Sequence, residues 1–103
     1  MNEVDEIRTQ LTPTLRELRV EKAILFGSVA GGSKSRKSDI DLLVVWETEE
    51  RFFGRYRHFE EIYAKVKGRS VDMLIYTPSE LERIVHRPFI RKILAEGKVI
   101  YEH

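Results

Sequence analysis

The sequence predicts an α/β (α+β) protein in which a small mixed sheet of three to four strands is covered by helices. Three short apolar runs, at residues 23–26, 39–46 and 71–76, have the composition of buried strands. Apolar residues in the segments around these runs recur at steps of three and four, which is the spacing of amphipathic helices. We therefore expect helices that pack on the faces of a sheet.

The first helix is predicted from an apolar stripe near the N-terminus, which consists of Val4, Ile7, Leu11, Leu15 and Leu18. Proline lacks a backbone donor and clashes with the preceding turn of a helix. We therefore expect Pro13 to kink or break this helix near Thr12, with the Thr12 side chain as the cap of a second short helix.

A short turn rich in small residues follows the first strand. That strand, at 23–26, stops at Gly27, and residues 28–32 fit a tight strand-to-helix turn. Residues 33–38 are polar and basic, so we expect an exposed loop that leads into the second strand at 39–46.

The second half of the chain continues with helices and strands. Helical spacing between residues 53 and 66 predicts a helix that ends at Gly68 and precedes the third strand. Thr77 and Glu80 are spaced as a capping box, Pro88 divides the region that follows into two helices, and residues 99–101 add an edge strand. The same helical spacing predicts core packing for the aromatic residues Phe52, Phe53, Tyr56, Phe59 and Tyr63.

Length and composition bound the organisation of the chain. With 103 residues, 42% of them apolar, we expect a single domain over residues 1–103 with one modest core. A formal net charge of +1 at 34% charged residues argues against disorder and against nucleic-acid binding through bulk positive charge. The composition leaves a homo-oligomer open.

Three patterns that indicate export or a membrane are missing from the sequence. There is no cysteine, so nothing indicates a disulfide framework or a thiolate metal site. The N-terminal residues lack the basic and apolar stretches of a signal peptide, and no apolar run approaches the ~20 residues of a membrane span. We therefore expect a cytoplasmic protein without a membrane partner.

Three aspartates on the predicted strands carry the chemistry. Side chains alternate faces along a strand, so Asp39 and Asp41 point the same way, about 6.5–7 Å apart. This fork is wide enough for two Mg²⁺ ions at roughly 3.5–4 Å separation. Asp72 would add a third ligand or a general base if its strand is a neighbour. The ordinary alternative is that these aspartates cap loops or face solvent.

The turn and the basic loop beside these acids are suited to phosphate. Gly27 and Ser28 can direct backbone N–H groups and a hydroxyl at a phosphate group. Lys34, Arg36 and Lys37 could neutralise a triphosphate. An ordinary turn and a solvated loop are the alternatives, and only the acids downstream make the Gly-Ser pair informative.

Together these residues resemble a family signature. Phe26-Gly27-Ser28, ten intervening residues and Asp39-Ile40-Asp41-Leu42-Leu43-Val44 resemble the signature of the polymerase-beta-like nucleotidyltransferase superfamily, and the small size is similar to its minimal nucleotidyltransferase branch. Val71-Asp72 resembles the strand that bears the third carboxylate of the family, and residues 93–101 resemble the C-terminal ending of the branch.

The resemblance implies an enzyme that transfers AMP from ATP to an acceptor hydroxyl with two Mg²⁺ ions as cofactors. It implies that Asp39 and Asp41 bind magnesium and that Asp72 completes the site and deprotonates the acceptor. It also implies that Gly27 and Ser28 contact the nucleotide phosphates.

One position departs from the family pattern. Members often carry arginine two or three residues beyond the serine, where this chain has the small residues of 29–32. Arginine binds phosphate through two donors at once and glycine cannot, so Lys34, Arg36 or Lys37 would have to substitute.

The acceptor is also implied by the resemblance. Similar minimal proteins are often antitoxins that transfer AMP to a tyrosine of a HEPN-type ribonuclease toxin, which makes such a toxin the expected partner. The predicted sheet and helices leave little chain for an acceptor-binding domain, so another chain or a second copy would supply that surface. Two alternatives stay open: a small-molecule nucleotidyltransferase of the aminoglycoside type, and a non-catalytic antitoxin that inhibits by occlusion.

Overall fold

The structure is a computed structural model that describes residues 2–31, 39–66 and 68–103. None of the helices in these ranges is both long enough and apolar enough to cross a membrane. In chain order the elements are α1 (Glu3–Glu17), β1 (Lys22–Phe26), α2 (Gly27–Ala30), β2 (Ile40–Val45), a 3₁₀ helix (Phe52–Phe59), α3 (Glu60–Lys65), β3 (Val71–Tyr76), α4 (Pro78–Ile84), α5 (Pro88–Glu96) and β4 (Lys98–Glu102).

The four strands form a mixed sheet in the order β3-β2-β1-β4. β1 pairs antiparallel with β2 on one side and with β4 on the other, whereas β2 pairs parallel with β3. The predicted α/β fold with a small mixed sheet covered by helices is confirmed. The edge strand expected near the C-terminus is β4.

Alternation along the strands sends their side chains into two separate apolar clusters. Leu25 and Leu42 belong to the larger cluster, which also holds the buried residues of α1 and α3. Ile24 and Leu43 belong to the other cluster, together with Ile90 and Ile93 of α5. The sheet therefore lies between α1 and α3 on one face and α4 and α5 on the other. Asp41 is two residues before Leu43 on the same strand, so its side chain lies on the same face of the sheet, which α5 covers.

Helix α1 runs through Pro13 without a break, so of the predicted kink or break near Thr12 the break is wrong. Asn2 caps this helix by accepting a hydrogen bond from the backbone N–H of Asp5 at 2.8 Å. The Thr12 hydroxyl donates to the carbonyl oxygen of Arg8 at 2.6 Å instead of capping a second helix. Buried side chains on both sides of the proline, Leu11 and Leu15 among them, hold the two halves of the helix against the sheet. Packing thus outweighs the missing backbone hydrogen bond.

The predicted helix before β3 is a 3₁₀ helix followed by the short helix α3. A 3₁₀ helix has three residues per turn, so a stripe spaced for an α-helix does not stay on one face. Phe59 is buried as expected, but the side chains of Phe53 and Tyr63 are 86% and 40% exposed. The prediction that Phe53 and Tyr63 pack in the core is therefore wrong.

The outer edge of β3 is covered by side chains of the 3₁₀ helix. The Tyr56 hydroxyl donates to the carbonyl oxygen of Met73 at 2.7 Å, and the Arg55 guanidinium donates to that of Ile75 at 3.0 Å. Arg55 also donates to both carboxylate oxygens of Glu80, at 2.6 and 3.0 Å. Since Glu80 forms the predicted capping box with Thr77 at the start of α4, this ion pair ties the 3₁₀ helix to β3 and α4.

The ion pair between Arg55 and Glu80 makes stability depend on pH. The hydrogen bonds from Arg55 lower the pKa of Glu80 from 4.5 to about 2. A carboxylate with a depressed pKa stabilises the fold above pH 4.5, and this contribution is lost as the pH falls from 4.5 toward 2. We expect Glu80→Gln to lower the free energy of unfolding at pH 7 by about 1–2 kcal/mol, a figure reduced for the partly exposed carboxylate.

Urea denaturation between pH 7 and pH 3 measures this effect. The difference in unfolding free energy between the wild-type protein and Glu80→Gln should become smaller as the pH falls below 4.5. Glu82→Gln, an exposed change on the same helix, is the control and should leave stability unchanged. A gap of constant size at every pH would contradict the assignment of the effect to this ion pair.

Candidate active site

Strand pairing brings two predicted site residues side by side. β1 ends where β2 begins, so Phe26 is the antiparallel partner of Asp41. On its other side Asp41 is the parallel partner of Asp72. Neighbouring strands lie about 4.8 Å apart, and Asp72 has the parity of Leu74 on the α5 face. The two carboxylates therefore lie next to each other at one end of the sheet.

Gly27 adjoins Asp41 and has a backbone conformation that favours glycine. Its φ is +77°, and a Cβ placed there would overlap the Oδ2 atom of Asp41. The Asp41 carboxylate thus lies directly over the glycine backbone. The turn after β1 and the acid on β2 form one packed unit, which explains why a glycine follows the first strand.

Asp41 lies in an environment that resists its negative charge. Partial burial raises the pKa of Asp41 above its ordinary value, and the negative charges of Asp72 and Asp39 and a hydrogen bond with Asp72 raise it further. A bound cation or a shared proton relieves such repulsion. The site is therefore suited to binding a cation.

The donor chemistry of these residues fits Mg²⁺, which prefers carboxylate oxygens. Asp41 and Asp72 supply adjacent carboxylates, and Asp39 adds negative charge from the residue before β2. Within the described residues, however, no three acidic, histidine or cysteine side chains are close enough together to form a metal cluster. The arrangement is a close pair of acids with a third nearby.

The predicted phosphate-binding residues have different outcomes. Gly27 adjoins Asp41, and its contact with a phosphate stays a prediction. Ser28 is exposed in α2, one residue beyond that glycine. Lys34 and Arg36, like Lys37, lie outside the described residues, so their part in the site stays a prediction.

A cleft of about 530 Å³ opens beside Asp41. One wall is the turn after β1, with Gly27 and Gly31, and the opposite wall is α5. The residues of α5 that line the cleft are Phe89, Lys92, Ile93 and Glu96. The Phe89 ring meets the ring of Phe26 edge-on, with the ring centroids 5.9 Å apart. A small ligand in this cleft would contact both Asp41 and α5.

No sequence pattern predicted a contribution of α5 to the cleft. Ile90 and Ile93 form the apolar stripe of α5, and both are buried. The sequence feature that could have indicated a role for α5 is Phe89, a large aromatic residue just outside that stripe. Its side chain is 58% exposed. Its place at the cleft depends on where α5 packs, which spacing along one helix does not reveal.

The fold and the pair of acids beside the glycine turn can be compared with those of known proteins. The family model described as "Polymerase beta, Nucleotidyltransferase" matches residues 9–103. The chain belongs to this nucleotidyltransferase family. The predicted family and nucleotidyltransferase activity are thereby confirmed.

Two curated relatives come from Methanocaldococcus jannaschii, and both are named "Putative protein adenylyltransferase". One is 29% identical over 101 residues, which cover 96% of this chain and 95% of the relative. The other is 33% identical over 73 residues, which cover 71% of this chain and 77% of the relative. The likeness to the first relative thus extends over nearly the whole of both chains.

Solved structures with the same fold include two toxin–antitoxin complexes. One is a complex with AMP-PNP, with a TM-score of 0.62, 19% identity and coverage of 93% of this chain and 73% of the matched chain. The other is a tri-AMPylated HEPN toxin of Shewanella oneidensis with its MNT antitoxin, with a TM-score of 0.64, 16% identity and coverage of 97% and 73%. At these identities the likeness supports the fold.

The contact between Gly27 and Asp41 can be tested with a matched pair of substitutions. Gly27→Ala adds a Cβ at positive φ and against Asp41, so we expect a loss of about 2–4 kcal/mol in unfolding free energy. Gly68→Ala is the control, because Gly68 also has a positive φ, of +79°, but a Cβ there meets nothing within 4 Å. Its loss should be about 1–2 kcal/mol, the cost of the backbone conformation alone.

Denaturant titration and a nucleotide-transfer assay measure the two effects. Displacement of Asp41 should lower transfer by about 10²-fold in Gly27→Ala, whereas Gly68→Ala should retain wild-type activity. Equal losses of stability in the two variants, with transfer intact in both, would show that Gly27 does not position Asp41.

Proposed function

We propose that this protein is a magnesium-dependent nucleotidyltransferase that transfers AMP from ATP to a tyrosine hydroxyl of a HEPN-type ribonuclease toxin. It would then be the antitoxin of a toxin–antitoxin pair. In this proposal residues 1–103 act as a single minimal nucleotidyltransferase domain in the cytoplasm, where a ribonuclease meets its RNA.

One observation carries the proposal: Asp41 is held between the Gly27 turn and Asp72 at one end of the sheet. Carboxylates that repel one another beside a cleft suit a cation-dependent reaction of a phosphate ester. In this proposal the backbone N–H groups of the turn and the Ser28 hydroxyl would bind the phosphates. Neither a nucleophilic side chain nor a redox group is needed for this chemistry.

The proposed reaction is a direct transfer in one step. The acceptor oxygen bonds to the α-phosphorus of ATP while the bond from that phosphorus to the oxygen bridging to the β-phosphorus breaks, which releases pyrophosphate. Asp72 is exposed, so an acceptor hydroxyl can reach it and give up its proton to the carboxylate. Gly27 and Ser28 hold the phosphates through backbone and hydroxyl donors.

Asp39 and Asp41 would hold the magnesium ions in this proposal. When bound, Mg²⁺ activates the attacking oxygen and neutralises charge on the leaving phosphate. Asp41 is the more constrained of the two acids, since it lies between Gly27 and Asp72, whereas Asp39 is exposed just before β2. We therefore propose that Asp41 contributes more than Asp39 to fixing the position of the metal ions.

The names of the similar proteins support a protein as the acceptor of AMP. Two curated relatives are named "Putative protein adenylyltransferase". One structural neighbour is a complex of an MNT antitoxin with an AMPylated HEPN toxin. The exposed Asp72 also leaves the acceptor side of the site open to another chain. A tyrosine on a partner surface could approach from solvent.

Substitution of the central acid tests the catalytic assignment. We expect Asp41→Asn to abolish AMP transfer and to keep the fold, because the amide has the shape of the carboxylate and removes the repulsion from Asp72. Asp72→Asn should lower the rate by about 10²–10⁴-fold, as expected for loss of a general base. Asp5→Asn, on α1 and far along the chain from these acids, is the control and should transfer at the wild-type rate.

The assay uses α-labelled ATP, magnesium and a candidate HEPN toxin, with folding checked by circular dichroism. Label on the toxin that disappears in Asp41→Asn agrees with the proposal. Continued labelling by a folded Asp41→Asn variant would overturn the role of this residue. Replacement of the toxin tyrosines by phenylalanine should remove the label, and label that persists would overturn a tyrosine acceptor.

The same assay distinguishes the two alternative functions. Label on an aminoglycoside instead of the toxin would indicate a small-molecule transferase. Tight binding of the toxin without any label would indicate an antitoxin that acts by occlusion, an alternative consistent with the uncharged turn residues Val29, Ala30 and Gly31. Either result would overturn the proposed transfer to a toxin.

A further inference from the structure

We propose that Lys92 of α5 binds the β- and γ-phosphates of the nucleotide from the wall of the cleft opposite the Gly27 turn. This inference rests on the proposed function, since it names a further residue of the same site. It assigns α5 to the binding of substrate, in addition to its role in covering the sheet.

The geometry of the cleft places Lys92 where a phosphate chain would extend. Gly27, Gly31 and Asp41 line the cleft together with Lys92. A nucleotide whose α-phosphate lies at Asp41 has its remaining phosphates along the turn if they are to meet the backbone donors of Gly27. A volume of about 530 Å³ is enough for a ligand of that size, because small-molecule sites span about 300–1,000 Å³. The side chain across from the turn is then in reach of the phosphates.

The charges around the cleft leave Lys92 as the group that can neutralise a polyphosphate. Two of the described lining residues, Asp41 and Glu96, are acidic, and Lys92 is the one lysine or arginine among the described residues of this lining. The turn itself, with Val29, Ala30 and Gly31, has no charged side chain. Several negative charges in a cleft with two acids need a cation from the protein as well as any bound metal.

The position of Lys92 along α5 is set by packing. Ile90 and Ile93 are each 3% exposed in the cluster on this face of the sheet, which fixes the rotation of the helix. Residues 89, 92 and 96 then follow one another along the flank that borders the cleft. Lys92 takes part in none of the ion pairs formed within the described residues. Its ammonium group is therefore available to a ligand.

Calorimetric titration of the full chain with ATP, inorganic tripolyphosphate and AMP tests the inference. We expect Lys92→Gln to weaken binding of ATP and tripolyphosphate by about tenfold, the effect of one charge-assisted hydrogen bond at an exposed site. Binding of AMP should stay within about twofold, because AMP lacks the β- and γ-phosphates that this lysine contacts. Lys92→Arg should bind ATP like the wild-type protein.

Two further variants make the test specific. Arg91→Gln removes one positive charge from the adjacent position of α5, which does not line the cleft, so ATP binding should be unchanged. Glu96→Gln removes an acid from the same wall and should strengthen ATP binding. If Lys92→Gln and Arg91→Gln weaken ATP binding equally, the effect comes from net charge alone and the inference is overturned. Equal weakening of ATP and AMP in Lys92→Gln would overturn it as well.

These outcomes differ from those that test the proposed function. If the wild-type protein binds ATP with the expected dependence on Lys92 but labels no toxin, the assigned acceptor is wrong and the phosphate contact stands. If it labels the toxin and Lys92→Gln binds ATP normally, the phosphate contact is wrong and the transfer stands. Absence of ATP and tripolyphosphate binding by the wild-type protein would overturn both.

Discussion

The register between β2 and β3 is the constraint on which the site depends. Asp41 faces Asp72 across the parallel pair because Leu42 and Met73 are buried on one face and Leu43 and Leu74 pack on the other. A shift by one residue would turn every side chain of one strand to the opposite face. The apolar pattern that stabilises the sheet therefore also fixes the distance between the acids.

The site has an energetic cost that the rest of the fold offsets. Asp41 is partly removed from water and lies beside a second carboxylate, an arrangement that raises its pKa and destabilises the ionised form. The apolar clusters on the two faces of the sheet stabilise the fold enough to hold this repulsion in place. A cation gains affinity from the same repulsion, since its binding relieves the unfavourable charge. Stability and ligand affinity are thus opposed at this position.

Sequence patterns predicted the strands, the acids and the capping box at Thr77, because each depends on residues close together in the chain. Asp72 was harder to place, since its contribution required β3 to lie beside β2, and spacing does not order strands. The uninterrupted α1 and the exposed Phe53 were missed because packing and a change of helix type overrode local preference. The position of Lys92 at the cleft was missed because it depends on where α5 packs.

The covered edge of β3 has a consequence for assembly. Outward carbonyl groups at Met73 and Ile75 already accept hydrogen bonds from Tyr56 and Arg55, so this part of the margin offers no free acceptors to an incoming extended segment. Strand addition is thereby disfavoured at this part of the β3 edge. A protein that docks along this side must recognise side chains and surface shape instead of extending the hydrogen-bonded ladder.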